Sequence, residues 1–151
     1  MVDYSKISMK RIAAMALILN AEDDILIVKP KYHEGWLLPG GIIEGNESPR
    51  NACIREVQEE IGIVITPKEL LIVDYKDSQG EKSEAIHFVF NGGKLETTEI
   101  KLQEEELSEY RFVNLRTAEK LTIQPISQRL KYAIEAIKNG KTFYLENQKT
   151  V

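Results

Sequence analysis

The chain has 151 residues, of which 42% are apolar and 29% are charged, and its formal net charge is −4. This length predicts a single domain over residues 1–151 with its own hydrophobic core, and the negative charge argues against binding nucleic acid polymers or anionic membranes. The single cysteine, Cys53, excludes an internal disulfide. No stretch is typical of a signal peptide or a membrane span, which favours a cytoplasmic location.

The first part of the chain predicts a hairpin followed by a glycine-containing loop. Lys10–Leu19 becomes a continuous apolar run, as expected of a strand buried on both faces. Asn20–Asp24 is a polar turn, and Ile25–Lys29 completes the hairpin. Pro30–Gly35 then forms a loop, whereas residues 1–9 predict a ragged or edge-pairing start.

The middle of the chain predicts further strands separated by polar loops. Strands are expected at Thr66–Tyr75, at Ala85–Phe90 and at Tyr110–Leu115. A polar loop is expected over Asp74–Ser83, and Asn91-Gly92-Gly93 predicts a turn that closes the second of these strands. The acidic segment 94–109 is typical of a solvated loop.

The end of the chain predicts a helix and a short tail. Arg116–Leu121 is expected to form a short helical turn, and Gln124–Asn139 a longer helix between Pro125 and a stop at Gly140. The tail from residue 141 predicts either a strand at Thr142–Leu145 or a frayed end. Strands and helices in this order predict an α/β fold with a mixed sheet covered on both faces.

One helix carries an unusual acidic face. Ser48-Pro49 is a helix-start signal and Gly62 a helix-stop signal, so the residues between them predict a helix with Cys53 on its apolar side. Glu56, Glu59 and Glu60 share a different arc of this helix. Each like-charge pair at this spacing costs roughly 0.2–0.5 kcal/mol, and hard cations such as Mg²⁺ prefer oxygen ligands. Taken alone, three glutamates on a helix still favour a solvated face. The Gly40-Gly41 turn just upstream, Glu47 before the cap and Arg55 inside the cluster make a metal site the better prediction.

These residues carry a resemblance to a known family. Gly41, then Glu47 after five residues, then Arg55-Glu56-Val57-Gln58-Glu59-Glu60-Ile61-Gly62-Ile63 after seven more, resembles the Nudix box at every defined position. Trp36-Leu37-Leu38-Pro39-Gly40 is similar to the segment that usually precedes the box. The resemblance implies an α/β/α sandwich and a hydrolase that cleaves the phosphoanhydride of a nucleoside diphosphate linked to another group.

The resemblance also implies residue roles. Glu56, Glu59 and Glu60, together with the backbone carbonyl of Gly40, are expected to bind Mg²⁺ or Mn²⁺. Arg55 is expected to orient Glu47 or a neighbouring carboxylate.

The general base is left open between two regions. In some family members a loop glutamate about six residues before a late aromatic takes this role, which here predicts Glu106, with Glu105 as the alternative. In other members a box glutamate acts, which here is Glu59.

Other candidate residues have ordinary explanations beside functional ones. His33 precedes the box and can contact a substrate or simply lie on the surface, and Trp36 can stack on a base or cover the core. Arg11 can contact phosphates. His87 falls within a strand pattern and is expected to be a satisfied sheet residue.

Substrate identity is poorly determined because the markers of several subfamilies are missing beyond the box. A nucleoside triphosphate or modified nucleotide is the default, and the alternatives are an ADP-ribose or nucleotide-sugar pyrophosphatase and a non-catalytic nucleotide-sensing module. Family resemblance also implies that a homodimer is possible, through residues 1–9 or the tail after Gly140.

Overall fold

The computed structural model describes residues 1–151 except for the side chain of residue 97. A mixed sheet lies between one helix on one face and two on the other, which confirms the predicted α/β fold. The strands are β1 Arg11–Leu19, β2 Ile25–Pro30, β3 Gly40–Ile42, β4 Leu70–Lys76, β5 Ala85–Lys94, β6 Leu107–Val113, β7 Phe143–Glu146 and β8 Lys149–Thr150. The helices are α1 Pro49–Ile61, α2 Leu115–Leu121 and α3 Gln124–Asn139, with short 3₁₀ turns at Tyr4–Lys6 and Thr97–Glu99.

The central strand β1 organises the sheet. The strand order is β6-β2-β1-β5-β4-β7-β8, and β3 also pairs with β1 in an antiparallel manner. β1 and β5 run parallel, as do β4 and β7, whereas the remaining pairs are antiparallel. In this arrangement β3 holds the start of the box directly against β1.

Alternate residues of β1 enter two different cores. Ala14, Ala16 and Ile18 face α1, whereas Met15 and Leu17 face α2 and α3. Because both sets are buried, the sequence of β1 is continuously apolar rather than alternating. The prediction of a strand buried on both faces is therefore confirmed.

The predicted helix positions are confirmed, whereas several strand bounds differ. β4 starts at Leu70 rather than Thr66 and continues to Lys76, so Asp74 is a buried strand residue and not the start of a loop. β6 already begins at Leu107, at the end of the acidic segment. Residues 1–9 form no strand, and β7 covers most of the strand predicted in the tail.

The predicted turn at Asn91-Gly92-Gly93 is wrong, because β5 continues through it as an irregularity in the sheet. The pairing of β1 with β5 shifts register between Leu17 and Ile18. Gly93 has a φ of 82°, and a Cβ on Gly92 would stand 2.6 Å from Cγ1 of Ile18. The glycines thus serve close packing within the strand. None of the helices in the described part of the chain is long and apolar enough to cross a membrane.

Candidate functional site

Helix α1 presents the acidic cluster because both of its ends are fixed. Oγ of Ser48 accepts a hydrogen bond from the Asn51 N–H at 3.1 Å, and Gly62 ends the helix with a φ of 72°. Cys53 is fully buried on the opposite, apolar side, and burial raises the pKa of its thiol to about 12. This thiol is therefore a core group, as predicted.

Arg55 fastens the loop before α1 to the helix. Its guanidinium donates two hydrogen bonds to Glu47, from Nε at 2.8 Å and from Nη2 at 2.9 Å. Nη2 also donates to the carbonyl oxygen of Ile42 at 3.2 Å, and Nη1 donates to Oε1 of Glu56 at 2.9 Å and to Oε2 of Glu59 at 3.3 Å. The hydrogen bonds from Arg55 lower the pKa of Glu47 to about 2. Arg55 thus links the loop carboxylate of Glu47 with two carboxylates of α1.

The buried end of the acidic cluster lies against the first glycine of β3. The backbone N–H of Gly40 donates to Oε2 of Glu60 at 3.1 Å. Burial, together with the negative charges of Glu56, Glu106 and Glu59, nevertheless raises the pKa of Glu60 to about 8. Burial also raises the pKa of Glu56, although Arg55 opposes the rise. The cluster thus concentrates more negative charge than its own cation neutralises.

Gly40 and Gly41 allow the backbone to approach this cluster. Gly40 has a φ of 150°, and a Cβ there would stand 2.4 Å from the carbonyl oxygen of Ala14. A Cβ on Gly41 would stand 2.5 Å from Cδ of Glu56. Only glycine fits at Gly40, where a Cβ would meet backbone, whereas a side chain at Gly41 would have to displace the carboxylate of Glu56.

The donor set fits a hard divalent cation in its chemistry. All of its side chains are carboxylates, and burial, with the neighbouring carboxylates as a lesser cause, raises the pKa values of Glu56 and Glu60. A bound cation would stabilise their charged forms. In the geometry described here, no three Asp, Glu, His or Cys side chains converge closely enough to hold a metal ion. Glu56 and Glu59 are instead directed to Arg55.

Of the two loop glutamates, the structure brings Glu106 toward the box. Its charge contributes to the raised pKa values of both Glu56 and Glu60, and its backbone carbonyl accepts from the Lys31 N–H at 2.8 Å. Glu105 lies in a shallow depression formed by residues 101–105. The geometry therefore favours Glu106 over Glu105 among the predicted bases.

A cavity of about 310 Å³ opens beside the glycines of β3, on the face of the sheet covered by α2 and α3. We call it the basic cavity. Arg11, one of the predicted substrate contacts, lines it together with Gly40 and Gly41. Nη2 of Arg11 donates to the carbonyl oxygen of Ser83 at 2.9 Å, which holds this side chain at the rim.

The other two predicted substrate contacts have different surroundings. Trp36 is only 5% exposed and packs in the core, with the Arg111 guanidinium 4.9 Å from its ring centroid. Of the two alternatives for Trp36, this burial favours covering the core over stacking on a base. His33 stays exposed in its loop and makes an edge contact with Tyr32 at 4.9 Å.

Several residues of the site were not found from the sequence. Tyr32 lines the basic cavity, and partial burial together with the charges of Glu60, Glu106 and Glu56 raises the pKa of its phenol. His87 and Arg129 also line the cavity. Nδ1 of His87 is buried without a hydrogen-bond partner in the described structure, so the expectation of a satisfied sheet residue is wrong. The one local signal for Tyr32 was its place in the loop that precedes the box, nine residues before Gly41.

The fold and the acidic helix together define a Nudix-type hydrolase scaffold. The NUDIX domain model matches residues 9–134, and the chain belongs to this family.

Two kinds of relatives accompany this match. Diphosphoinositol polyphosphate phosphohydrolase 3-alpha of Mus musculus is 36% identical over 81 residues, which cover 53% of this chain and 49% of the relative. The match thus spans about half the length of this curated relative. The solved MutT protein of Methanosarcina mazei Go1 is 25% identical, with a TM-score of 0.71 over 90% of this chain and 100% of that one. An ADP-ribose pyrophosphatase of Streptococcus suis shares the fold at 18% identity, with a TM-score of 0.68 over 91% of this chain and 99% of that one.

Proposed function

We propose that this chain hydrolyses the phosphoanhydride bond of a nucleoside diphosphate linked to another group, in a reaction that depends on Mg²⁺ or Mn²⁺. The observation that carries the proposal is the position of the α1 carboxylates, which the charge of Glu106 reaches and the backbone N–H of Gly40 contacts, while Gly40 itself lines the basic cavity. Crowded carboxylates destabilise one another unless a cation neutralises them.

Glu56, Glu59 and Glu60 would hold the cation, with the carbonyl oxygen of Gly40 as a further ligand. When bound, a divalent cation neutralises phosphate charge, polarises the phosphorus centre and makes a water molecule more acidic. In this proposal Arg55 releases Glu56 and Glu59 from its own hydrogen bonds, while its two bonds to Glu47 keep the loop in place. We call this two-bond contact between Arg55 and Glu47 the latch. Because it is bidentate, we expect it to persist when Arg55 no longer contacts Glu56 and Glu59.

Glu106 is the proposed base that accepts the proton of the attacking water. Its side chain is exposed and its charge reaches Glu56 and Glu60, so it lies on the open side of the cluster. Glu59 is the second candidate, because its side chain is also exposed at the end of α1. A base of this kind contributes about 10²–10⁴-fold to a rate.

The default substrate is a nucleoside triphosphate or a modified nucleotide, and the basic cavity supports binding of a small molecule beside the acidic cluster. ADP-ribose and nucleotide sugars are the alternatives. The name of the Mus musculus relative adds diphosphoinositol polyphosphates to the compounds worth testing. We also propose that the protein is cytoplasmic and that it does not bind a nucleic acid polymer.

A product-mass screen tests the activity. The chain is incubated with Mg²⁺ or Mn²⁺ and with nucleoside triphosphates, oxidised nucleotides, ADP-ribose, nucleotide sugars, dinucleoside polyphosphates, NADH and a diphosphoinositol polyphosphate. We expect one class to be cleaved at the phosphoanhydride, with the activity lost in chelator. Nucleotide binding without cleavage across the panel would contradict hydrolysis and support the non-catalytic sensing module instead.

A further inference from the structure

Four basic side chains line the basic cavity. Arg11, Lys76, Lys82 and Arg129 all contribute to its wall, and none of the described residues that line it is Asp or Glu. Burial, followed by the positive charges of Arg129, Lys82 and Arg11, lowers the pKa of Lys76. The charge of Asp74, which is paired with Arg129, opposes this shift but does not cancel it, so these cations repel one another unless a further anion binds among them.

Arg129 is the most deeply placed of these cations. Its side chain is 2% exposed, and Nε donates to Oδ2 of Asp74 at 2.6 Å. Gln148 donates two hydrogen bonds to the same carboxylate, from its backbone N–H to Oδ1 at 3.0 Å and from Nε2 to Oδ2 at 3.2 Å. Nη2 of Arg129, in contrast, is buried with no partner in the described structure. A guanidinium donor without an acceptor is costly unless a ligand supplies one.

His87 provides a second unpaired polar atom on the same wall. Its Nδ1 is buried without a partner, and burial together with the charge of Arg129 lowers its pKa to about 4. The ring therefore stays neutral at physiological pH and can donate one N–H to an acceptor. His87 lies on β5 beside β1, whereas Arg129 lies on α3, so the two unpaired atoms come from different layers.

We propose that the basic cavity binds a phosphate group carried by the part of the substrate that lies beyond the scissile diphosphate, with Arg129 as its buried donor. Arg11, Lys76 and Lys82 then complete a cationic wall around that group. This inference rests on the proposed function and narrows its substrate class to compounds with at least one phosphate outside the cleaved anhydride. Arg129 positions the group through Nη2, while its Nε remains bound to Asp74.

The first test measures binding without catalysis. The chain has two histidines, His33 and His87, so the ring signals in an NMR spectrum can be assigned readily. Inorganic phosphate is titrated into the full chain in the presence of chelator, which leaves the acidic cluster without a cation to attract it. We expect a saturable shift of the His87 ring signals and an unchanged His33. An unchanged His87 at saturating phosphate would overturn the proposal.

Charge-removing variants assign that shift to the cavity wall. Arg129 is a poor first choice, because its loss would leave Asp74 buried without its cation and threaten folding. Lys76→Gln should weaken phosphate binding by about fivefold, the value of one charge contact in a solvated site. The matched control is Lys68→Gln, which removes the same charge from an exposed lysine that does not line the cavity. Equal weakening by both variants would show non-specific attraction and contradict the site.

Kinetics on the preferred substrate provides the second test. Lys76→Gln should raise KM by about fivefold and lower kcat much less, because the contact lies away from the reacting phosphorus. If the substrate panel shows no cleavage but the His87 shift persists, the proposed hydrolysis fails and the phosphate site stands. If cleavage occurs, but phosphate does not shift the His87 signals and Lys76→Gln does not change KM, the phosphate site fails and the proposed hydrolysis stands.

Discussion

Gly41 lies directly beneath the carboxyl group of Glu56, so closely that a Cβ on Gly41 would stand 2.5 Å from Cδ and 2.7 Å from either carboxylate oxygen. The backbone of β3 and the acidic face of α1 are therefore held in contact. Gly41 also lines the basic cavity. A larger side chain at Gly41 would therefore move the carboxylate of Glu56 away from the backbone that forms this cavity.

Gly41→Val tests this contact. We expect the side chain to push the carboxylate of Glu56 away and to lower turnover sharply, with a smaller loss of stability than overpacking of a core causes, because the displaced atoms are the end of one side chain. Gly45→Ala is the control, because nothing lies within 4 Å of a Cβ at Gly45. Urea unfolding and kcat are measured for both variants. A fully active Gly41→Val variant would refute the need for close approach.

Arg55→Lys tests the bidentate latch to Glu47. Lysine keeps the charge but cannot donate two parallel hydrogen bonds to one carboxylate, so the loop should loosen. Loss of such a supporting contact typically costs about 10- to 100-fold in metal affinity or activity. Arg50→Lys, on an exposed arginine of the same helix, is the control. Equal behaviour of the two variants in metal titrations would argue against the latch.

Glu59→Gln and Glu60→Gln test the proposed metal ligands. Each should remove most turnover and reduce the rise in Tm that Mg²⁺ or Mn²⁺ produces, while Glu119→Gln, on the exposed surface of α2, should change neither. Without metal, Glu60→Gln should be more stable than the natural chain, because a neutral amide relieves the carboxylate crowding and still accepts from Gly40. Near-normal rates in both box variants would exclude the assignment.

Glu106→Gln and Glu105→Gln form a matched pair of neighbouring substitutions. At saturating metal, the first should lower kcat by about 10²–10⁴-fold and the second should leave it nearly unchanged. The readout is kcat with the preferred substrate, together with its pH profile. An unchanged rate for Glu106→Gln would move the base to Glu59.

His87 makes stability depend on pH in a predictable direction. Its pKa is about 4 in the folded chain and near 6.5 when unfolded, so acid protonates the unfolded state first. Its contribution is complete above the unfolded pKa and is lost as pH falls, reaching about 2 kcal/mol of lost stability by pH 5. The free energy of unfolding in urea is measured against pH for the natural chain and for His87→Gln. Both chains carry the same carboxylates, so the difference between the two profiles gives the contribution of His87. Parallel pH profiles would contradict the buried, neutral histidine.

Local signals sufficed to predict the helices that position the site. The Ser48-Pro49 start and the Gly62 stop define α1, and Pro125 with Gly140 defines α3, because capping depends on residues adjacent in sequence. The helical periodicity of Glu56, Glu59 and Glu60 likewise predicted the acidic face.

The wall of the basic cavity could not be found in this way. Asp74 resembled the start of a polar loop, and Arg129 resembled an ordinary charge between the apolar positions of α3. Their partners lie far away in sequence: Asp74 is bound by Arg129 and by Gln148, from α3 and from the end of the chain. A buried charge is recognisable only when its partner is known, and a single sequence does not supply that pairing.

The parallel pairing of β1 with β5 has a consequence for how the chain folds during synthesis. The principal partner of the central strand emerges from the ribosome about 70 residues after it, and contacts of such separation form slowly. Until then only the hairpin with β2, the short β3 and helix α1 are available to cover the apolar residues of β1. The nascent chain is therefore most prone to aggregate before β5 is complete, and slower translation of the loop before β5 would lengthen that exposure.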